Sequence, residues 1–114
     1  MKTFICLIRI NPESLAPTQI AKLDRLWKIW INTMIQNHQL LELCIFREPG
    51  VVLREKYQPV NGYYADDHKA PVTGFVKISC QNMEDAKALC NIMPTIPAGG
   101  IVEVRELKEI KFFE

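Results

Sequence analysis

Asp66, Asp67 and His68 stand in a row. Two carboxylates beside an imidazole form a candidate general base, because histidine titrates near neutrality and adjacent negative charge raises its pKa. The same trio also suits a solvated turn, so both readings stay open. A metal corner would need more ligands than gather here. His38, the other histidine, reads as a helix-end residue, and neither a metal nor a cofactor is expected. A second group lies further on. Glu103 and Arg105 are two apart in an extended stretch, so they share one face of a strand. With Arg9 and Lys77 on that face, Arg105 can grip a carboxylate through its planar guanidinium. The plainer alternative is that Glu103 and Arg105 form an ion pair that specifies a dimer. Tyr63 and Tyr64 either flank a pocket or pack within their loop.

Strands and helices must carry these groups. Thr3–Ile10 is apolar on both alternating faces, as a central strand covered on both sides would be. Pro17 suits the first position of a helix. Ile20, Leu23, Trp27, Trp30 and Met34 then follow the helical period through Gln36, with Leu26 and Ile31 widening the stripe. Such a helix is about 30 Å long. Both tryptophans read as core. Leu40–Phe46 is ambiguous between strand and loop, whereas Val51–Tyr57 alternates and is taken as the second strand. Pro59–Pro71 reads as a polar loop. Thr73–Cys80, a helix over Met83–Ile92 capped by Asn82, and Ile101–Leu107 complete the order β-α-β-β-α-β. Right-handed crossovers make this an α+β, ferredoxin-like sandwich: four antiparallel strands, the first and third central, with both helices on one face. Gly74, Val76, Ile78, Val102 and Val104 are placed under the helices. Thr3, Ile5, Leu7, Arg9, Phe75, Lys77, Glu103 and Arg105 then fall on the open face, which is too apolar to be left wet.

Composition narrows the classes. The 114 residues are read as one domain spanning 1–114. An apolar content of 48% with 24% charged residues argues for a globular core. A net charge of +1 offers no field for nucleic acid or anionic lipid. The four cysteines show no paired spacing, and three lie in apolar segments, so they read as reduced, buried thiols. The apolar stretch Phe4–Ile10 is too short to span a membrane and precedes no small-residue cleavage site, so a cytoplasmic location is expected.

Asn61-Gly62-Tyr63-Tyr64, Thr73-Gly74-Phe75, Asp85-Ala86, Met93-Pro94 and Gly99-Gly100-Ile101-Val102-Glu103-Val104-Arg105 together resemble the YCII-related, DGPF-domain family over about residues 1–107. The closing Gly-Gly-x-x-Glu-Val-Arg is the most specific part, and Glu103 and Arg105 match residue by residue. The resemblance implies a ferredoxin-like homodimer whose two sheets face each other, the dimeric α/β barrel, with acid–base chemistry in some members. Two departures stand out. The Asp-Gly-Pro-Phe loop reads Asn61-Gly62-Tyr63-Tyr64 here, and Trp27 and Trp30 are nearest to the first-helix histidine of some members.

The expected function is binding of a small anionic or aromatic-acid ligand by Arg9, Tyr63, Tyr64, Phe75, Lys77, Glu103 and Arg105, with Leu7 in the wall. Asp66, Asp67 and His68 are the candidate acid–base groups at the mouth, and whether the chain is an enzyme stays open. A non-catalytic sensor or accessory protein on the same fold is the alternative. An RNA-recognition module shares the element order, and Gly74-Phe75-Val76-Lys77-Ile78 imitates the end of its third-strand motif. However, Pro71-Val72-Thr73 replaces the basic-glycine-aromatic start, so no nucleic-acid partner is expected. Phe112 and Phe113, in the tail, are expected to pack on a partner subunit or on the barrel rim.

Overall fold

A computed structural model describes residues 1–47, 50–56, 58–62 and 70–109. Strand β1 spans Lys2–Arg9 and leads through a single 3-10 turn, Pro12–Ser14, to helix α1, Pro17–Gln36. Strands β2 (Leu40–Ile45), β3 (Gly50–Val52), β4 (Val60–Gly62) and β5 (Val72–Cys80) precede helix α2 (Met83–Asn91) and strand β6 (Ile101–Glu106). One sheet has the order β2-β5-β1-β6, and β3 and β4 form a separate two-stranded ribbon. Every pairing in the larger sheet is antiparallel, with β1 and β5 central. The result is an α+β sandwich, compatible with a ferredoxin-like fold.

The helices begin where local chemistry supplies partners. Pro17 occupies the first turn of α1, and the Ala16 N–H donates to Gln19 Oε1 at 2.7 Å. Asn82 Oδ1 accepts from the Asp85 N–H at 2.9 Å, satisfying one orphan donor of α2. His38 follows α1 with φ 56° and donates its N–H to the Ile35 carbonyl, which is a left-handed helix ending. Gly99 (φ 89°) turns the chain into β6, at a backbone angle that side chains disfavour.

One layer of side chains lies between helices and sheet. Phe4, Cys6 and Ile8 of β1 and Val76, Ile78 and Cys80 of β5 are buried against Trp30 and Met34 of α1 and Ala86 and Cys90 of α2. Each large apolar side chain so buried contributes about 1.5–3 kcal/mol. Trp30 Nε1 donates to the Leu89 carbonyl at 3.1 Å, which ties α1 to α2. Trp27 stands edge-on to Trp30, with centroids 5.5 Å apart. Ile20 and Leu26, assigned to the buried stripe from periodicity, are exposed.

The second strand of the main sheet is Leu40–Ile45, not Val51–Tyr57. The register slips between Leu40 and Glu42, so Leu41 is an extra residue. That bulge breaks the alternation that marks a strand in sequence. Val51 instead pairs with Asn61, in a hairpin that also claims part of the expected loop Pro59–Pro71. The strand ends at Val52, and Glu55 and Lys56 lie in a turn where Lys56 takes φ 64°.

Two features of this core are testable. A Cβ on Gly74 would press on the Cys44 carbonyl and lie 3.0 Å from Ile45 Cδ1, so β2 would have to shift. Gly74→Ala should destabilise by about 1–3 kcal/mol in urea unfolding, and a neutral result would show that β2 moves freely. The sulfurs of Cys6 and Cys90 lie 2.7 Å apart, both thiols free and buried. That hydrogen bond, followed by burial, pushes the Cys6 thiol far above its ordinary value of 9.0. Above 9.0 the unfolded chain releases a proton that the folded chain keeps, so stability falls with rising pH, by up to about 1.4 kcal/mol per unit. Cys6→Ala should flatten that slope, whatever it does to absolute stability. Equal slopes in the two proteins would show that Cys6 does not set it.

Candidate functional site

The sheet face away from the helices is built in rows. Ladder pairing puts Glu103, Leu7, Phe75 and Cys44 in one row, and Arg105, Ile5, Lys77 and Glu42 in the next. Alternation keeps these residues on one side, while their chain neighbours enter the core. Arg9 and Ile101 pair at the end of the same face. The structure thus brings together Arg9, Phe75, Lys77, Glu103 and Arg105. Tyr63, Tyr64, Asp66, Asp67 and His68 lie outside the described residues, as do Phe112 and Phe113.

Each cation on this face has a carboxylate partner. Glu103 bridges two arginines, with Oε1 3.5 Å from Arg9 Nη2 and Oε2 3.6 Å from Arg105 Nη1. Lys77 Nζ lies 3.1 Å from Glu42 Oε2. The Lys77 ammonium, and then the Cys44 thiol, hold the Glu42 carboxyl below its usual range. Partial burial, with the hydrogen bond to Glu42 next, pushes the Cys44 thiol up. Phe75 stacks edge-on with Phe46 at 6.1 Å, and Lys77 Nζ stands 6.0 Å from the Phe75 centroid.

Glu42, Cys44 and Phe46 were not legible as site residues, because the bulge at Leu41 hid their strand. Their arrival changes the charge of the face: among the described residues, three cations meet two carboxylates, not one. The apolar middle, Ile5, Leu7 and Phe75, is half-buried within the single chain. Chemically, the face can offer guanidinium groups to an anion that outcompetes Glu103, with an aromatic ring alongside. Among the described residues, no three metal-ligating side chains lie close enough to hold an ion. No described helix is long and apolar enough to cross a membrane.

The bridge itself can be weighed. Glu103→Gln frees both arginines but leaves them partly solvated, so the loss in the free chain should be no more than about 1 kcal/mol and should shrink with salt. A loss above about 2 kcal/mol, unchanged by salt, would mark a desolvated structural pair instead. No protein-family model matches the sequence, and no curated protein matches it.

Proposed function

We propose that this chain is a YCII-like, cytoplasmic protein that works as a homodimeric α/β barrel and holds a small acid between its two opposed sheets. One observation carries the reading. A sheet face bare of helices presents Ile5, Leu7 and Phe75 beside Lys77 on the central strands, with Arg9 at the end of β1 and Arg105 on the β6 edge. Half-buried apolar side chains in the centre of a face, with both arginines towards its ends and edge, resemble the layout of a protein interface. A two-fold axis would set the face against itself. The enclosed space would be apolar in its walls, with arginines able to bind a carboxylate bidentately, and this suits an aromatic or aliphatic acid. Acid–base work at the mouth would fall to His68 with Asp66 or Asp67.

The ion pairs support a second reading. With Arg9 and Arg105 held by Glu103, and Lys77 by Glu42, the face is already neutralised in large part. A non-catalytic sensor or accessory dimer on the same fold needs no more than that.

Light scattering at micromolar concentration should give a dimer. Small aromatic and aliphatic acids should raise the melting temperature of the wild type but not of Arg105→Ala. At 100 times the dissociation constant the stabilisation is about 2.7 kcal/mol. A monomer rules out the barrel. A dimer that no acid stabilises leaves the accessory reading.

A further inference from the structure

The helix-facing side of the sheet has a defect of its own. Its rows run Val104, Cys6, Val76, Leu43 and then Val102, Ile8, Gly74, Ile45. In the second row Gly74 gives no side chain, and Ile45 Cδ1 leans over it, 3.0 Å from where a Cβ would stand; the gap lies between this row and α1. Helix α1 does not close the gap. Ile45 is 69% exposed and Leu43 36%, although both belong to the face that the helices cover. The hollow left there has a volume of about 320 Å³. Leu23, Trp27 and Ile31 of α1 form its roof, Ile8 and Ile45 its floor, and Thr95, 1% exposed, lies in its wall.

Its size and its polarity select a ligand. A dry apolar cavity of about 150 Å³ already binds benzene, so one of about 320 Å³ takes a ring with a short substituted chain. The polar equipment is sparse. The Thr73 hydroxyl is committed to the Ile8 carbonyl at 3.4 Å. Among the described residues, Asp24 is the one ionisable residue in the lining. A carboxylate beside an apolar wall favours a cation that can bond to it, and repels an acid.

We infer that the hollow between α1 and the helix-facing side of the sheet is a second small-molecule site, specific for an aromatic amine whose ammonium group pairs with Asp24. It faces away from the proposed acid site and shares no side chain with it.

The probe is 2-phenylethylamine, with 2-phenylethanol and phenylacetate as matched neutral and acidic controls. Binding is read by thermal shift and by tryptophan emission, since Trp27 roofs the site. In Arg105→Ala, where the acid site is disabled, the amine should bind at least tenfold more tightly than either control. Asp24→Asn, at an exposed position, should bring the amine to the level of the alcohol. Ile45→Trp, at the exposed mouth, should abolish binding of both. Arg105→Ala should leave amine binding unchanged, which separates this site from the acid site. In Arg105→Ala, phenylacetate binding as well as the amine would overturn the ligand class, as would Asp24→Asn without effect. Absence of any shift, or amine binding that survives Ile45→Trp, would overturn the site.

Discussion

The pairing of β1 with β5 is the constraint on which the rest depends. Phe4 opposite Ile78, Cys6 opposite Val76 and Ile8 opposite Gly74 send one set of side chains to the helices. Ile5 opposite Lys77 and Leu7 opposite Phe75 send the other set to the open face. Strand side chains alternate with a period of two, so a slip of one residue would exchange the two sets. It would bury Lys77 beneath α1 and expose Ile78. A buried, unpaired ammonium costs several kcal/mol, so the helices enforce the register as strongly as the ladder does. The open face is therefore a consequence of core packing, and its charges stand where the core has no use for them.

The same register explains the sulfur-rich patch in the core. Cys6 and Cys80 come from the two central strands and Cys90 from α2, and all three are buried. Where α2 meets the sheet, small side chains are needed: Ala86 and Cys90 are both almost fully enclosed. A thiol is compact and only weakly polar, so it can fill such a contact without bringing in a strong hydrogen-bonding group. The Cys6–Cys90 hydrogen bond adds direction to what is otherwise packing of small volumes.

Legibility in the sequence followed the regularity of the backbone. The two-faced apolarity of β1, the proline start of α1, the Asn82 cap and the glycine turn before β6 are local signals, and each lies where the structure has it. The second strand was misplaced for a definite reason. Leu41 is an unpaired residue between Leu40 and Glu42, so Leu40, Leu43 and Ile45 share a face without showing the period of two. Val51 and Leu53 mimicked the missing strand; both are exposed, Val51 within a short ribbon and Leu53 just after it. The assignment of Arg9, Lys77, Glu103 and Arg105 to one face needed only alternation along regular strands. Their partner Glu42 needed the strand order, which no local pattern supplies. Neither was the hollow beside Trp27 legible: it arises where α1 fails to cover β2, a matter of helix placement.

The two faces of β1 give the two proposed sites opposite charge preferences while keeping them apart. Arg9 and Leu7 point to the open face, and Ile8, between them in the chain, forms part of the floor of the hollow. No side chain serves both, so an acid on one side and an amine on the other would not compete for a residue. Any coupling must pass through the backbone. The place for it is the irregularity in the β1–β5 ladder between Ile8 and Arg9, where Ile8 faces Gly74 and Arg9 faces Val72. Elsewhere the ladder is regular. Coupling requires an element with two arrangements whose balance both ligands bias, and this step is the one place where the β1–β5 register is discontinuous.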